Sequence, residues 1–275
     1  MSIAVSYSRC HFLHGALKVL TPAGVPLIAS YTGTPALRTD EYPRYFTTQG
    51  NYFDQTTRII RHLTTVATGR VAVMYQDDAF GKSMLPMVQK AAADAGANVL
   101  LAQPMDASGK NAAEAAQAVG EAKPQSVVLL VAGPGVVPAI RALRRSVSAP
   151  IYTYSLAISA AAVEALMLSA WPWCVSTPYP WSASQPLAKA FSAAASKQKL
   201  PIDYDHCLGY INGRVLSEVV RAAGANPTPA TLAAEMKKLG KLDLGGYALQ
   251  YGPGRHHGSS FTEITILGPK GRYIR

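Results

Sequence analysis

Residues 70–101, RVAVMYQDDAFGKSMLPMVQKAAADAGANVLL, decide the fold class of this chain. The stretch opens with the apolar run Arg70–Tyr75, continues through helix-forming residues from Ser83 to Ala95, and closes with a second apolar run, Ala97–Leu101. Apolar runs without polar alternation are typical of strands that are covered on both faces. A helical segment between two such runs therefore predicts parallel strands joined by a crossover helix.

The same alternation continues on both sides of this stretch. Two more apolar runs, Ser126–Val131 and Pro150–Tyr154, are predicted to be strands. Segments with helical periodicity and good helix formers are Phe53–Val66, Asn111–Glu121 and Val136–Ser146. We therefore expect an α/β fold with a doubly wound parallel sheet, and such sheets bind ligands at the carboxyl ends of their strands.

The architecture changes after the Trp171–Val175 run. A turn-rich passage, Thr177–Trp181, comes before a part of the chain that is helical throughout. Its expected helices are Ala188–Lys197, Cys207–Ala223 and Pro229–Leu239. The tail then carries two strand-like runs, Gly246–Tyr251 and Phe261–Ile266, on either side of a glycine-rich turn, which together predict a hairpin.

Composition excludes several classes of protein. Hydrophobic residues make up 49% of the 275 residues and charged residues 15%, as in an ordered globular protein with one large domain or two modest lobes. No run of about 18 or more uncharged apolar residues occurs, so no membrane insertion is expected. The start at Met1 lacks the basic flank and apolar stretch of an export signal, which we expect to be absent or to lie upstream.

The formal net charge of +10 raises the question of nucleic acid. The basic residues are scattered, and the densest stretch, Arg141–Arg145, has the helical spacing of a solvated helix face. No known reading motif accompanies the charge, so no nucleic-acid partner is expected. The cysteines at 10, 174 and 207 are too few and too widely spaced for a zinc site or a disulfide scaffold. One pair could bridge, but we expect reduced, structural thiols.

Catalytic motifs are missing from the sequence, which has no Gly-x-Ser-x-Gly, Cys-x-x-Cys, His-Glu-x-x-His or Walker-type phosphate loop. Gly133–Gly135 follows a strand as a dinucleotide loop would, but Pro138 occupies the third glycine position. Either Asp77 or Asp78 is expected to cap the next helix, and His256 and His257 are expected to be solvated. No catalytic residue, metal or cofactor is predicted.

Three ordered segments resemble the branched-chain amino-acid (Leu/Ile/Val)-binding receptors of ABC importers, a family of periplasmic substrate-binding proteins. Ala23–Ile28 with the following Tyr31–Arg38 is similar to a strand and ligand loop of that family, Tyr75–Gly81 to another strand and loop, and Gly252–Arg275 to its ending. The resemblance covers nearly the whole chain. The family's opening region and signal peptide have no counterpart before Met1, so the sequence is expected to begin inside the first lobe.

The resemblance implies two doubly wound lobes joined by three crossings, with a ligand cleft between them and a hinge that closes on the ligand. On that template lobe 1, which would lack its N-terminal part, takes residues 1–50 and 180–243. Lobe 2 takes residues 51–179 and 244–275. A periplasmic location and an ABC transporter permease as partner are also implied.

Two loops of lobe 1 would hold a ligand carboxylate by the same resemblance. The loop Ser8–His11 precedes an expected helix, whose unpaired N–H groups and positive dipole end suit an anion. The loop Tyr31–Thr34 would add hydroxyls and amides. Both could instead be ordinary turn and cap residues. The residues expected to bind are Ser8, Cys10, Tyr31 and Thr32.

Lobe 2 would contribute positions that lie near the ends of strands or at a crossing. These positions are Tyr52, Phe80, Gly133, Pro134 and Ser155. Phe80 would give specificity by packing against the ligand, or would belong to the core.

Ser155 departs from the resemblance. The matching position in the family looks like an acid that would pair with an ammonium group, whereas a serine is neutral. A buried ammonium without a counter-charge loses a strong contact, so either another acid substitutes or the ligand has no ammonium. Asp205, at an expected helix start, is one such acid, although the role of helix N-cap is more common for aspartate there.

These observations predict a receptor without catalytic activity that delivers a small carboxylate-bearing solute to an ABC importer. The solute would be an amino acid or a related organic or aromatic acid. A ligand-sensing subunit of a signalling system with the same fold is the first alternative, and a doubly wound α/β enzyme is the second.

Overall fold

The computed structural model describes residues 4–5, 10–157, 163, 171–268 and 273–274. The chain divides into two compact units. Unit 1 consists of Met1–Asn51 and Ser176–Phe261, and unit 2 consists of Tyr52–Val175 and Thr262–Arg275.

The strands in chain order are β1 (Ala4–Val5), β2 (Leu27–Ile28), β3 (Tyr45–Phe46), β4 (Arg70–Gln76), β5 (Asn98–Met105), β6 (Ser126–Leu130), β7 (Ile151–Tyr154), β8 (Trp171–Val175), β9 (Lys241–Asp243), β10 (Ala248–Gln250), β11 (Glu263–Leu267) and β12 (Tyr273–Ile274). The main helices are α1 (Cys10–Leu20), α2 (Tyr52–Thr65), α3 (Ala79–Ala95), α4 (Ala112–Glu121), α5 (Val136–Ser146), α6 (Pro186–Lys197), α7 (Tyr204–Ala223) and α8 (Pro229–Lys238). Among the described residues, no helix is both long enough and apolar enough to cross a bilayer.

Unit 2 is built on one sheet whose described strands follow the order β12-β11-β8-β7-β6-β4-β5. The five strands from β8 to β5 are parallel. β11 pairs antiparallel with β8, and β12 pairs antiparallel with β11 at the edge of the sheet. Val71 and Val73 point to one face of β4 and Ala72 and Met74 to the other, and all four are completely buried. The predicted doubly wound sheet is therefore confirmed in this unit.

The helices of unit 2 complete this arrangement in two pairs, because α2 packs against α3 and α4 packs against α5. Ile59 and Leu63 of α2 and Val88 of α3 share a core with Val71 and Val73, on one face of the sheet. The sequence placed these helices and the strands between them correctly, apart from a few residues at their ends.

Unit 1 contains a parallel sheet of short strands in the order β1-β2-β3. Ile28 and Phe46, which are adjacent in register, pack into a core with Phe191 of α6 and Ile211 of α7. Their neighbours in sequence, Leu27 and Tyr45, face the other way and pack against Leu13 and Leu17 of α1. This sheet is thus also covered on both faces.

The predicted hairpin between Gly246–Tyr251 and Phe261–Ile266 is wrong. β10 pairs instead with β9, and β11 pairs with β8 in unit 2. Burial explains the difference, since Leu249 and Tyr251 insert into the core of unit 1 together with Tyr247. The family resemblance implied that residues 244–261 belong to lobe 2, whereas they lie in unit 1.

Candidate functional site

The carboxyl ends of the parallel strands in unit 2 bring several of the expected positions to one edge of its sheet. β4 ends at Gln76 and leads to Phe80, β6 leads to a short 3-10 turn at Gly133–Gly135, and β7 leads to a second 3-10 turn that begins at Ser155. Since open α/β sheets bind ligands at this edge, it is the candidate site surface of unit 2.

Gln76 ties the loop after β4 to the loop after β6. Its side-chain carbonyl accepts a hydrogen bond from the Ala132 backbone N–H at 3.1 Å, and its amide group donates to the Asp78 carboxylate. Asp78 in turn accepts from the Gly81 backbone N–H at 3.0 Å and caps α3, as expected for the acidic pair. Its neighbour Asp77 pairs with Lys82 on the surface.

The turn after β6 depends on glycine for its shape. Gly133 has φ of 67°, a left-handed conformation that favours glycine, and Pro134 after it is exposed. A Cβ at Gly135 would lie 2.6 Å from the Ala107 carbonyl oxygen, so no larger residue fits there. The turn therefore needs glycine at positions 133 and 135 and exposes Pro134 at the strand edge.

Ser155 makes two hydrogen bonds with one side chain of α2. The Ser155 backbone N–H donates to the carbonyl oxygen of the Gln55 side chain at 3.0 Å, and the Gln55 amide nitrogen donates to the Ser155 hydroxyl at 3.0 Å. Gln55 is completely buried, whereas Ser155 is half-buried. The serine at the end of β7 is thus held in a fixed orientation.

Three aromatic rings are in contact beside the end of β7, the strand before Ser155. Tyr52 lies edge-on to Phe80, with ring centroids 6.1 Å apart, and edge-on to Tyr154 at 6.4 Å. Tyr52 and Tyr154 are buried, and burial raises the pKa of Tyr154, whose hydroxyl bonds with Thr56 at 2.9 Å. Tyr52 is therefore part of the core, and Phe80 packs against that core while remaining partly exposed.

The Tyr31–Thr34 loop of unit 1 is fixed by its own hydrogen bonds. Thr32 is buried, with an exposed fraction of 3%. Its hydroxyl accepts a hydrogen bond from the Thr34 backbone N–H at 3.2 Å. The Thr32 backbone N–H donates to the Ser30 carbonyl at 3.1 Å. The loop follows β2 directly, so it also lies at the carboxyl end of a parallel strand.

Asp205 does not cap its helix. Asp203 is the N-cap of α7 and accepts from the His206 backbone N–H at 2.8 Å. Asp205 lies in the first turn and accepts a hydrogen bond from the Tyr31 hydroxyl at 2.9 Å. The structure therefore brings two of the expected site residues of unit 1 into direct contact, and the N-cap interpretation of Asp205 is wrong.

Part of the expected carboxylate loop cannot be placed. Ser8 lies outside the described residues. Cys10 is the first residue of α1, but its side chain is also outside the described part. The other two cysteines, Cys174 and Cys207, are buried free thiols, as predicted. Burial raises the pKa of both, that of Cys207 to about 12.

The prediction that His256 and His257 are solvated is wrong. The His256 ring packs against Phe46 at 5.3 Å and the His257 ring against Tyr45 at 5.8 Å. His257 Nδ1 also bonds with the Thr47 hydroxyl at 3.1 Å. Burial, and then the nearby charges of Arg38 and His256, lower the pKa of His257 to about 4. Burial likewise lowers the pKa of His256.

Sequence reasoning missed Gln55 and Gln76, the two glutamines that hold the strand-end loops. Gln55 carried a signal, because it falls on the buried stripe of α2 formed by Tyr52, Gln55, Thr56, Ile59, Ile60 and Leu63. A long polar side chain on an apolar stripe must find hydrogen-bond partners, which points to a structural or ligand-positioning role. Gln76 carried a similar signal, because it is a polar residue at the end of an apolar run. The structure shows that its side chain is buried.

Comparison with known proteins agrees with this architecture. The family model described as Periplasmic binding protein matches residues 11–264. An extracellular ligand-binding receptor from Verminephrobacter eiseniae is 23% identical, with a TM-score of 0.84, over 99% of this chain and 79% of that one. No curated protein matches the chain.

Two further solved structures carry names that mention a ligand. A branched-chain amino acid ABC transporter from Thermus thermophilus with bound valine is 14% identical, with a TM-score of 0.81, over 99% of this chain and 75% of that one. A leucine-binding protein from Thermotoga maritima is 14% identical, with a TM-score of 0.82, over 98% and 77%. At these identities the likeness to solved structures shows the fold alone. The family match over residues 11–264 shows that the chain belongs to the periplasmic binding protein family.

Proposed function

We propose that this chain is the periplasmic solute-binding receptor of an ABC importer and that its ligand is a small molecule with a carboxylate group. The family to which it belongs is one of binding proteins and not of enzymes, which supports a receptor role. Two solved structures with this fold, one with bound valine and one of a leucine-binding protein, support a ligand of amino-acid size.

The observation that carries the ligand class is the state of the Thr32 hydroxyl. Because this oxygen already accepts from the Thr34 N–H, its proton is left to be donated to another group. Thr32 follows β2 at the carboxyl end of a parallel sheet, where ligands bind. A buried donor at this position suits the oxygen of a carboxylate.

The net charge of the chain supports the same ligand class. With a formal charge of +10, the chain attracts anions at long range and raises their local concentration. In unit 2, Phe80, Gly133 and Pro134 lie at the carboxyl ends of the parallel strands and are proposed as ligand contacts.

A thermal-shift screen tests the ligand class. The panel contains amino acids, aromatic acids, 2-oxo acids and dicarboxylates, each with its carboxamide analogue as the matched control. Because a ligand that binds only the native state raises the melting temperature, we expect shifts with the acids and much smaller shifts with the amides. Equal shifts for an acid and its amide would contradict a carboxylate site.

Transport needs a separate test. An ABC importer permease and its ATPase, sought among the genes next to this one and reconstituted in liposomes, should take up the best ligand from the screen only when this chain is added on the outside. Uptake that is independent of the chain would contradict the importer role, while leaving a binding role intact.

A further inference from the structure

The chain passes between its two units three times, at residues 51–52, 175–176 and 261–262. Two compact units that are joined by single segments of chain are expected to move by bending at those connections. We propose that Tyr247 is a positioning residue for this motion, because its hydroxyl ties together the unit 1 ends of all three connections. The effect of the tie on ligand binding rests on the proposed receptor function, whereas the tie itself does not.

Buried polar residues mark the unit 1 end of each connection. Thr48 and Gln49 come just before the first connection, Ser176 follows the second, and Ser259 comes just before the third. The exposed fraction of each of these residues is 8% or less. Polar groups that are buried to this degree need hydrogen-bond partners within the protein.

The Tyr247 hydroxyl supplies a partner to each of the three connections. It donates to the Thr48 carbonyl oxygen at 2.6 Å and makes a longer contact, of 3.4 Å, with the Ser176 carbonyl oxygen. The Ser259 side chain also bonds with this hydroxyl. Because the tyrosine proton is directed at Thr48, Ser259 is the donor in that bond. One phenol therefore joins residues that are far apart in sequence and that lead into unit 2 by different routes.

Two further sets of bonds hold the connections in pairs. The side-chain carbonyl of Gln49 accepts from the Ser176 hydroxyl at 3.1 Å, which links the first connection to the second. The Thr47 carbonyl accepts from the Gly258 backbone N–H at 2.9 Å, which links the first to the third. Tyr247 adds the link between the second and the third, and so completes the set.

The phenol is itself held firmly in place. Tyr247 has an exposed fraction of 1% in the core of unit 1, and its ring lies edge-on to Phe261 with the centroids 5.6 Å apart. The unit 1 ends of the connections are thus anchored to a packed core, and bending is left to the residues at the unit boundaries. Ordering a loose connection on ligand binding would cost free energy, so the tie should increase the affinity for a ligand that closes the units.

Distance measurements between the units test the tie without any ligand. Spin labels are attached at Lys189→Cys in unit 1 and at Lys123→Cys in unit 2, where both lysines are exposed. A Cys10→Ser background removes one native thiol, and the other two, Cys174 and Cys207, are buried and protected from labelling. Double electron–electron resonance then gives the distribution of distances between the two labels.

Two tyrosine variants separate the tie from the general loss of a buried hydroxyl. Tyr247→Phe keeps the ring and should broaden the distance distribution relative to the parent. Tyr251→Phe is the matched control, because its hydroxyl is in the same core but donates to the first connection alone, at the Thr47 carbonyl oxygen 2.9 Å away. Equally wide distributions for the two variants would overturn the inference. If Tyr247→Phe does not fold, Ser259→Ala removes the bond to the third connection and should also broaden the distribution, and an unchanged width would then overturn it.

Calorimetry with leucine and phenylpyruvate measures the consequence for binding. We expect Tyr247→Phe to weaken each acid that binds the parent by about fivefold to tenfold, the value of roughly one hydrogen bond. The ratio of the two affinities should not change, because Tyr247 is not proposed to contact the ligand. Tyr251→Phe should lower the melting temperature by a similar amount and leave both affinities close to the parent. Equal losses of affinity in the two variants would contradict a positioning role. If no acid of the wider screen binds the parent, the receptor function fails, while the distance distributions still decide whether the tie exists.

Discussion

The hydroxyl groups of two proposed site residues each accept a hydrogen bond within the protein. Thr32 accepts from the backbone of its own loop, and Ser155 accepts from Gln55. Such a hydroxyl still has its proton and one acceptor lone pair for a further contact. Tyr31 differs from both, since its hydroxyl donates to Asp205 in the first turn of α7.

Removing the Thr32 hydroxyl should weaken ligand binding. Thr32→Val keeps the shape of the side chain and deletes a hydrogen bond to a charged group, so we expect a loss of about 1–3 kcal/mol in binding free energy. Thr32→Ser keeps the hydroxyl and should bind close to the parent. Calorimetry with the best carboxylate measures both variants, and a valine variant that binds as tightly as the parent would remove this loop from the site.

His257 should make folding stability depend on pH in the acid range. Its pKa in the folded chain is lowered to about 4 from 6.5, so the unfolded chain binds the proton more tightly. The folded state is therefore favoured above pH 6.5, and this contribution is lost as the pH falls through 6.5 toward 4. The loss is on the order of 2–3 kcal/mol if the histidine alone is counted.

Denaturant unfolding at several pH values measures this effect. His257→Gln should show a smaller decrease in unfolding free energy than the parent chain between pH 6.5 and 4, because glutamine takes up no proton. The same substitution at exposed His14 is the control for replacing a histidine. Parallel curves for the parent and His257→Gln would show that this ring titrates alike in the folded and unfolded states.

The secondary-structure elements were easier to predict from the sequence than the pairing of the strands. The strands of unit 2 are unbroken apolar runs such as Val71–Tyr75, and their pattern alone places them in a covered parallel sheet. β9 was missed because Lys241–Asp243 is short, charged and mostly exposed. Without β9, the run containing Leu249 had no recognisable partner near it in sequence, and pairing it with β11 was the simplest choice.

The positions of the candidate site were likewise easier to predict than the hydrogen bonds between them. Strand-end positions such as Ser155 can be located from the apolar run before them. The bonds that give these positions their chemistry join residues far apart in the chain, as with Gln55 and Ser155, or Tyr31 and Asp205. No local pattern encodes those pairs.

At the start of α3, two adjacent acids should differ sharply in their effect on stability. Asp78→Ala removes the N-cap of the helix and should lower the unfolding free energy by about 1 kcal/mol. Asp77→Ala removes only an exposed ion pair with Lys82 and should leave the unfolding free energy close to that of the parent. Thermal and urea unfolding of both variants compare them, and equal losses would contradict the assignment of the cap to Asp78.

The charge of the whole molecule acts on any charged ligand before contact. The 26 lysines and arginines exceed the 16 acids, and the basic residues are scattered along the chain rather than clustered. Scattered charge of one sign produces a broad attraction for anions rather than a binding motif for nucleic acid. This attraction is screened by salt, so its contribution can be separated from that of direct contacts.

Salt should therefore slow the association of an anionic ligand and leave its dissociation nearly unchanged. Raising the ionic strength from about 10 mM to about 150 mM shortens the screening length from about 30 Å to about 8 Å. For a ligand of charge −1 approaching a protein of charge +10, we expect the association rate constant to fall by about threefold. Dissociation depends on short hydrogen bonds, which salt screens little. Stopped-flow fluorescence with phenylpyruvate measures both rates, and phenylalanine, whose net charge is zero, is the matched control. An equal salt dependence for the two ligands would show that the net charge does not steer binding, and a salt effect confined to dissociation would place the charge interaction inside the site.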